Sequence, residues 1–264
     1  FFFFPTIQYI NLYDFEFLRM SIPLLLFSFY FLNKKRYGIY YLFLILALLV
    51  REEVGLTTFF LGVYVFFIMK EKRHGITTSG ISLFYFLLVT KNMMPYFAGN
   101  SSSLHYHVAS GNFSYLGNSP SQMLVYIISH PFTILANLFD TIKIANFLMY
   151  ALPLLFMPFF SPSVFLIATG NLFLNFLSVS ISPYSYILYY LSPSSHFFFL
   201  SATKGMKNVS NKGYSFFLAR NIFVSKSDHT KFTSAVVSSV FVSSVLLTVF
   251  FGPSPLSIQF WNRD

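Results

Sequence analysis

The sequence predicts an all-α protein, a polytopic transmembrane helical bundle with about eight spans. Hydrophobic residues make up 55% of its 264 positions and charged residues only 9%, whereas soluble domains carry roughly 25% charged residues. A soluble fold of this length could not bury 38 Phe and 18 Tyr side chains and keep a wettable surface. The apolar stretches are continuous, without the alternation of apolar and polar residues that a transmembrane barrel needs.

Apolar segments mark the expected spans at roughly 18–33, 37–50, 54–69, 76–90, 143–160, 164–180, 187–203 and 232–251. Several are shorter than the ~20 residues that a perpendicular helix needs to cross the hydrocarbon, so we expect polar residues at their ends to lie near the interfaces. Pro153 and Pro158 interrupt the fifth segment. Proline is tolerated inside a membrane bundle when neighbouring groups satisfy the freed carbonyls.

Basic clusters fix the expected orientation, because loops rich in Lys and Arg stay cytoplasmic. Twelve of the 17 basic residues fall into three such clusters: Lys34, Lys35 and Arg36; Lys70, Lys72 and Arg73; and Lys204, Lys207, Lys212, Arg220, Lys226 and Lys231. This placement puts both ends of the chain, and six of the eight acidic residues, on the extracytoplasmic face of the cell membrane. It also requires a tight external turn at Arg51-Glu52-Glu53, since one long helix over 37–69 would place the second basic cluster outside.

A long external segment at about 91–142 is the least membrane-like part of the chain. We expect two short helices in it, from Pro120 to about Ser129 and from Pro131 to Asp140, both lying along the outer interface. His105 and His107 alternate about Tyr106, so they could coordinate a metal or contact a substrate from an extended lid. A solvated loop is the alternative.

Asp14 and Glu16 form an acid-x-acid pair just before the first span. Such a pair can bind Mg²⁺ or Mn²⁺, which prefer carboxylate oxygen and bridge phosphate groups. An ordinary charged flank is the other interpretation of this pair.

Arg51, Glu52 and Glu53 lie between apolar runs of only 14 and 16 residues. These charges therefore cannot all sit far out in water, and ionisable groups at this depth usually face a cavity or a partner. Arg51 could bind a phosphate, while Glu52 or Glu53 acts as a base, a metal ligand or an ion-pair partner. A polar hairpin tip with a local salt bridge is the alternative.

A cluster of tyrosines, which includes Tyr184 and Tyr190, lies at the outer end of the seventh span. Tyrosine is enriched at membrane interfaces, and its hydroxyl can also contact sugars or phosphates. The sequence therefore makes both residues candidates either for an aromatic belt or for a substrate site.

Several function classes are excluded or disfavoured. The chain has no cysteine, which removes disulfides and thiolate chemistry. The net charge of +9 is explained by the cytoplasmic loops and by contacts with anionic membrane lipids, so no nucleic-acid partner is expected. The span interiors lack charged residues, which disfavours a proton pump or a transporter that relays charge.

Short motifs in a fixed order resemble a family of multi-pass membrane proteins catalogued as domain of unknown function 2079. They cover roughly 11–260 and comprise Asn11-Leu12-Tyr13-Asp14-Phe15, Arg51-Glu52-Glu53-Val54 with Gly62-Val63-Tyr64, Tyr115-Leu116-Gly117-Asn118-Ser119-Pro120, His130-Pro131, Leu152-Pro153-Leu154, Ser161-Pro162, Tyr184-Ser185 with Tyr190 and Pro193, and Gly252-Pro253-Ser254-Pro255-Leu256-Ser257. Three positions depart from the family pattern: Glu16 stands where histidine is common, and Ile187 and Tyr189 stand where histidines occur near the seventh span.

That family is similar to the GT-C type glycosyltransferases, which use lipid-phosphate-linked sugar donors. The resemblance implies inverting sugar transfer from a polyprenyl-phosphate donor at the extracytoplasmic face, with an acidic residue of an external loop as base or metal ligand. In such enzymes the main acidic residue usually follows the first span, which the resemblance places upstream of where this chain begins.

The chain is expected to be a single transmembrane domain over 1–264. It begins Phe1-Phe2-Phe3-Phe4-Pro5, without an initiator Met or a signal peptide, which suggests an internal fragment of a longer protein. Two alternatives to an enzyme stay open: a transporter or lipid-binding membrane protein without covalent chemistry, and an inactive truncated family member.

Overall fold

The computed structural model of the chain describes residues 3–12, 16–97, 112–113, 115–117, 120–218 and 226–253, and these contain helices and no strand. The helices are α1 (Pro5–Leu12), α2 (Ser21–Asn33), α3 (Tyr37–Leu48), α4 (Val54–Phe67), α5 (Lys72–Leu88), α6 (Met94–Phe97), α7 (Pro120–Ser129), α8 (Pro131–Leu138), α9 (Thr141–Ala151), α10 (Pro162–Leu177), α11 (Ile181–Tyr184), α12 (Ser192–Leu218) and α13 (Lys226–Phe251). Short 3₁₀ turns lie at Phe17–Met20, Leu152–Leu154, Met157–Phe160 and Tyr189–Leu191, and a π turn joins α5 to α6. The predicted all-helical class is confirmed for these residues.

The first four long helices form two hairpins, α2 with α3 and α4 with α5. Lys35, just before α3, forms an ion pair of 3.1 Å with Glu71, just after α4. These residues are 36 positions apart, so the chain reverses direction between them. The predicted turn at Arg51-Glu52-Glu53 is therefore confirmed, and the first two basic clusters lie together at the opposite end of the helices.

Small residues let α4 and α5 pack closely. A Cβ added to Gly75 would come within 2.7 Å of the Phe66 backbone, and one added to Gly62 within 2.6 Å of the Ser79 amide nitrogen. Without an aqueous driving force between helices, such close approach of small residues is how membrane helices associate. This packing fixes α4, and Glu52 and Glu53 immediately precede its first residue.

The segment expected as the fifth span, 143–160, is interrupted near its two prolines and does not form one α-helix. The α-helix ends at Ala151, and 3₁₀ turns with left-handed residues at Leu155 (φ 47°) and Phe156 (φ 57°) follow. Pro153 and Pro158 lack the backbone N–H that a helix needs at those positions, which explains the break.

Hydroxyl groups on distant helices donate hydrogen bonds to backbone carbonyls of the broken segment. Ser244 on α13 donates to the Pro153 carbonyl at 2.6 Å, and Ser201 on α12 donates to the Pro158 carbonyl at 2.8 Å. These bonds satisfy carbonyls that the break leaves without an intrahelical partner. The expectation for the carbonyls about four residues earlier, which lose their partner because proline has no N–H, stays a prediction.

The described part of the long external segment packs on the C-terminal end of α10. The Tyr115 hydroxyl donates to the Leu177 carbonyl at 2.8 Å, and Leu116, Ile134 and Leu177 share a small apolar cluster. The two short helices predicted here are confirmed as α7 and α8. Their position along a membrane interface stays a prediction.

Residues near the two ends of the described chain meet. Thr248 on α13 donates to the Phe3 carbonyl at 2.8 Å, so α13 ends beside the start of α1. Both ends therefore lie on one face of the bundle, while the side of the membrane that this face occupies stays a prediction.

Helix lengths do not confirm eight spans. Among the described residues, the segment His229–Phe251 is long and apolar enough to cross a membrane, and the pair Pro131–Leu138 and Thr141–Leu154 would pass together but is bent by 61°. Four further apolar helices have 10–17 residues: Phe17–Asn33, Tyr37–Leu48, Val54–Phe67 and Pro162–Leu177. Their outward faces carry large apolar side chains such as Phe27, Leu42 and Phe67, which are 50%, 55% and 66% exposed. Apolar surfaces of this kind are typical of helices that contact lipid.

Candidate functional site at the Arg51 turn

The turn between α3 and α4 holds three consecutive charged residues against the start of α4. The amides of Val54, Gly55 and Leu56 donate to the carbonyls of Arg51, Glu52 and Glu53 at 2.9–3.2 Å. Because the N-terminus of a helix carries a partial positive charge, two carboxylates at this position are electrostatically favoured. The sequence therefore folds locally into a rigid turn with both acids at a helix start.

Arg51 links the acids to an aromatic ring. Its Nη2 lies 3.5 Å from Glu53 Oε1, its Nε lies 3.8 Å from Glu52 Oε1, and its Cζ lies 5.3 Å from the centroid of the Tyr190 ring. The carboxylates raise the pKa of Arg51 further, against the opposing effect of its burial. The guanidinium thus keeps a permanent positive charge at this end of the bundle.

Glu53 is the most deeply placed of the three charges. Its side chain is 14% exposed, and its Oε2 is buried with no hydrogen-bond partner among the described residues. Burial raises the pKa of the Glu53 carboxyl from 4.5 to about 7, although Arg51 opposes the shift. A carboxyl that titrates near neutral pH and has a free oxygen is suited to take up a proton.

Tyrosines from the segment before α12 complete the cluster. Tyr189 and Tyr190 stack with ring centroids 4.5 Å apart, and the Tyr189 hydroxyl interacts with the Glu16 carboxylate. The side-chain amide of Asn175 on α10 donates to the Tyr190 carbonyl at 3.1 Å and so anchors this segment. Glu16, Arg51, Glu52, Glu53 and Tyr190, all predicted site residues, therefore lie at one end of the bundle.

Other predicted site residues do not join this cluster. Tyr184 is 3% exposed and packs against Phe176, with Lys143 Nζ 5.2 Å from its ring centroid. The structure thus places Tyr184 inside the protein, away from the residues that contact Arg51. Asp14, His105 and His107 lie outside the described residues.

The predicted divalent-cation site is not assembled by the part of the chain that the structure describes. In these ranges no group of three or more His, Asp or Glu side chains has an arrangement that could hold a metal ion. Glu16 is present at the site, but it interacts with Tyr189. The described residues therefore do not provide a ligand set for Mg²⁺ or Mn²⁺, and no step below is routed through a metal.

Sequence reasoning missed two features near the site. Lys143, counted among ordinary external charges, is 3% exposed, donates to the Phe176 carbonyl at 2.6 Å and also bonds Asn137 Oδ1. It caps the C-terminal end of α10. Asn171 and Asn175 are buried on the same helix, and a pair of asparagines four residues apart in an apolar helix was the available signal.

Apolar helices that expose large side chains, together with a charged turn at one end, are typical of helical membrane proteins. A family model described as "Predicted membrane protein (DUF2079)" matches residues 1–263, so the chain belongs to that family. No curated protein matches the chain significantly. No solved structure matches it significantly either.

Proposed function

We propose that this protein transfers a sugar from a polyprenyl-phosphate donor at the extracytoplasmic face of the membrane, as a GT-C type glycosyltransferase does. The observation that carries the proposal is the convergence of a buried carboxylate, Glu53, with the fixed cation Arg51 and the tyrosine pair at one end of the bundle. This combination supplies a base and a phosphate-binding cation in one place.

In the proposed reaction the acceptor hydroxyl oxygen attacks the anomeric carbon of the donor sugar. The bond between that carbon and the donor phosphate oxygen breaks, the configuration inverts, and polyprenyl phosphate leaves with the electron pair. The acceptor proton passes to Glu53 Oε2, the carboxylate oxygen without a partner among the described residues. A base whose pKa lies near the working pH is efficient in this role.

Arg51 stabilises the charge that develops on the departing phosphate. Its planar guanidinium is suited to phosphate oxygens, and its contact with the Tyr190 ring holds it in position. The Glu52 carboxylate lies beside the Nε atom of Arg51 and thereby orients the guanidinium. Asp14, which precedes the first expected span and lies outside the described residues, is proposed as a further catalytic residue beside Glu52 and Glu53 and, with Glu16, as a metal ligand.

The proposal is tested with the full-length protein in lipid nanodiscs and a radiolabelled polyprenyl-phosphate sugar. Glu53→Gln is expected to lower kcat by ~10²–10⁴-fold, the usual contribution of a general base, whereas Arg51→Gln is expected to raise KM for the donor. Glu71→Gln, which removes an acid at the opposite end, serves as the matched control. Unchanged transfer in both Glu53→Gln and Glu52→Gln would remove the catalytic assignment.

A transporter without covalent chemistry is a second candidate, favoured by the broken segment at 152–160. Left-handed residues at Leu155 and Phe156 adjoin a groove of about 680 Å³ lined by Leu152, Leu155 and residues of α13. Broken helices of this kind form the binding sites of many transporters. Solute flux into proteoliposomes, with no sugar turnover, would favour this function over glycosyl transfer.

A further inference from the structure

Beneath the Arg51 turn, the structure buries polar side-chain atoms that have no partner among the described residues. These atoms are Glu53 Oε2, Thr57 Oγ1, and both Nδ2 and Oδ1 of Asn171. Thr57 and Asn171 are fully buried. Buried polar groups are almost always hydrogen-bonded, so an unpaired set in one region indicates that something else supplies the bonds.

Helix geometry places these groups on one wall. Glu53 and Thr57 are four residues apart at the start of α4, so their side chains lie on the same helix face. On α10, a Cβ added to Gly170 would lie 2.9 Å from the Leu56 carbonyl oxygen, which sets the two helices in register at this level. Thr57 and Asn171 each follow the contacting residue by one position.

The relative direction of α4 and α10 decides on which side of their contact the Thr57 and Asn171 side chains lie. The start of α4 and the end of α10 meet at Tyr190, through the Arg51 ring contact and the Asn175 hydrogen bond. The helices are therefore antiparallel, and a one-residue step in each turns both side chains to the same side of the contact. Asn175 lies one turn beyond Asn171 and bonds the Tyr190 carbonyl. The side in question is therefore the one that faces the segment containing Tyr190.

The available atoms match a ligand with several hydroxyl groups. The Glu53 carboxylate oxygen accepts, the Thr57 hydroxyl can donate and accept, and the Asn171 amide offers a donor and an acceptor. Neighbouring sugar hydroxyls also donate and accept in alternation. A site with buried polar atoms of this kind discriminates strongly against ligands that lack the matching hydroxyl.

We propose that Thr57 and Asn171, with Glu53 above them, recognise the hydroxyl groups of the donor sugar. The inference rests on the proposed glycosyl transfer and adds the residues that select the sugar. Arg51 would hold the phosphate at the mouth of the site, and the sugar would lie along the side of the α4–α10 contact that carries Thr57 and Asn171.

The test compares binding of polyprenyl phosphate with binding of its glucose, mannose and arabinose esters to the full-length protein in nanodiscs. We expect at least one ester to bind more tightly than the unsubstituted phosphate, by ~10-fold or more. Thr57→Val and Asn171→Leu should abolish that preference and leave binding of the unsubstituted phosphate unchanged. Thr57→Val is nearly isosteric, so it keeps the test valid if Asn171→Leu folds poorly.

Thr58→Val is the matched control. Thr58 is as buried as its neighbour, but its hydroxyl donates to the Val54 and Gly55 carbonyls of its own helix at 3.0 and 3.1 Å. We expect this variant to keep the preference for the ester. If the Thr57, Thr58 and Asn171 variants all show the same preference for the ester, the sugar-recognition inference is wrong but the proposed function stands. If the wild type binds none of the lipids, the proposed function is wrong as well.

Discussion

The two ion-pair sites at opposite ends of the bundle differ in how deeply their side chains are buried, although the distances between the charged atoms are similar. Lys35 and Glu71 form the shorter contact, at 3.1 Å, but their side chains are 68% and 34% exposed. Arg51 and Glu53 are 3.5 Å apart, with side chains only 25% and 14% exposed. Water screens the first pair, whereas the second is held where charges interact strongly and desolvation is costly. Burial, more than separation, decides which pair affects stability and chemistry.

Membrane topology gives the strongest test of this comparison, because the proposed orientation places the two sites on opposite sides of the membrane. The chain has no cysteine, so single cysteines can be introduced as Lys34→Cys and as Ser129→Cys. We expect each to react with a membrane-impermeant maleimide from one side only, and from opposite sides in oriented vesicles. Labelling of both from the same side would contradict the orientation.

Removing Arg51 should produce the largest change in stability. Arg51→Leu leaves Glu53 buried without its cation, and breaking such a pair costs about 3 kcal/mol at pH 8. The loss should shrink at pH 5, where Glu53 becomes protonated. Unfolding in mixed micelles measures the change, with Lys35→Leu as the control; equal losses in the two variants would show that burial does not distinguish the pairs.

Replacing Glu53 by Gln tests the cost of its negative charge. The folded-state pKa of about 7 lies above the ordinary value of 4.5, so ionisation destabilises the folded protein as pH rises through this window. At pH 8, Glu53→Gln should therefore be more stable than the wild type by about 3 kcal/mol, and at pH 4 the two should be equal. A difference in stability that does not vary with pH would contradict this.

Glu71→Gln should have the smallest effect. The neighbouring Lys35 ammonium lowers the pKa of Glu71 through a hydrogen bond and charge attraction. Because both side chains are exposed, we expect the melting temperature at 0.15 M salt to match the wild type within error. A clear loss that persists at 1 M salt would show that this pair contributes more than its exposure suggests.

Much of the fold could be predicted from the sequence where local rules act alone. The turn at Arg51-Glu52-Glu53 followed from the basic loops on either side, and the helices beginning at Pro120 and Pro131 followed from proline at a first helical position. The break after Ala151 could not be placed, since it depends on hydroxyl groups of Ser201 and Ser244 that replace the lost helix bonds. Local sequence does not show which distant donors are present.

Only part of the candidate site could be predicted, because some of its contacts also involve segments that are distant in the sequence. Charge and span length singled out Arg51, Glu52 and Glu53, but the contact with Tyr190 depends on how the segment before α12 returns to this end. Tyr184 belongs to the same tyrosine cluster, yet it is buried beneath Lys143. The tertiary fold thus separates tyrosines that are close in sequence. The spacing of the tyrosines alone does not show which of them reaches Arg51.

The serines that complete the broken segment also set an order of assembly. Residues 152–160 leave the ribosome before Ser201, and well before Ser244, which is 91 positions beyond Pro153. Until α13 enters the membrane, the Pro153 carbonyl lacks its Ser244 donor, and until α12 enters, the Pro158 carbonyl has only the nearby Ser161 amide. The broken segment therefore reaches its final form only after α13 is in place.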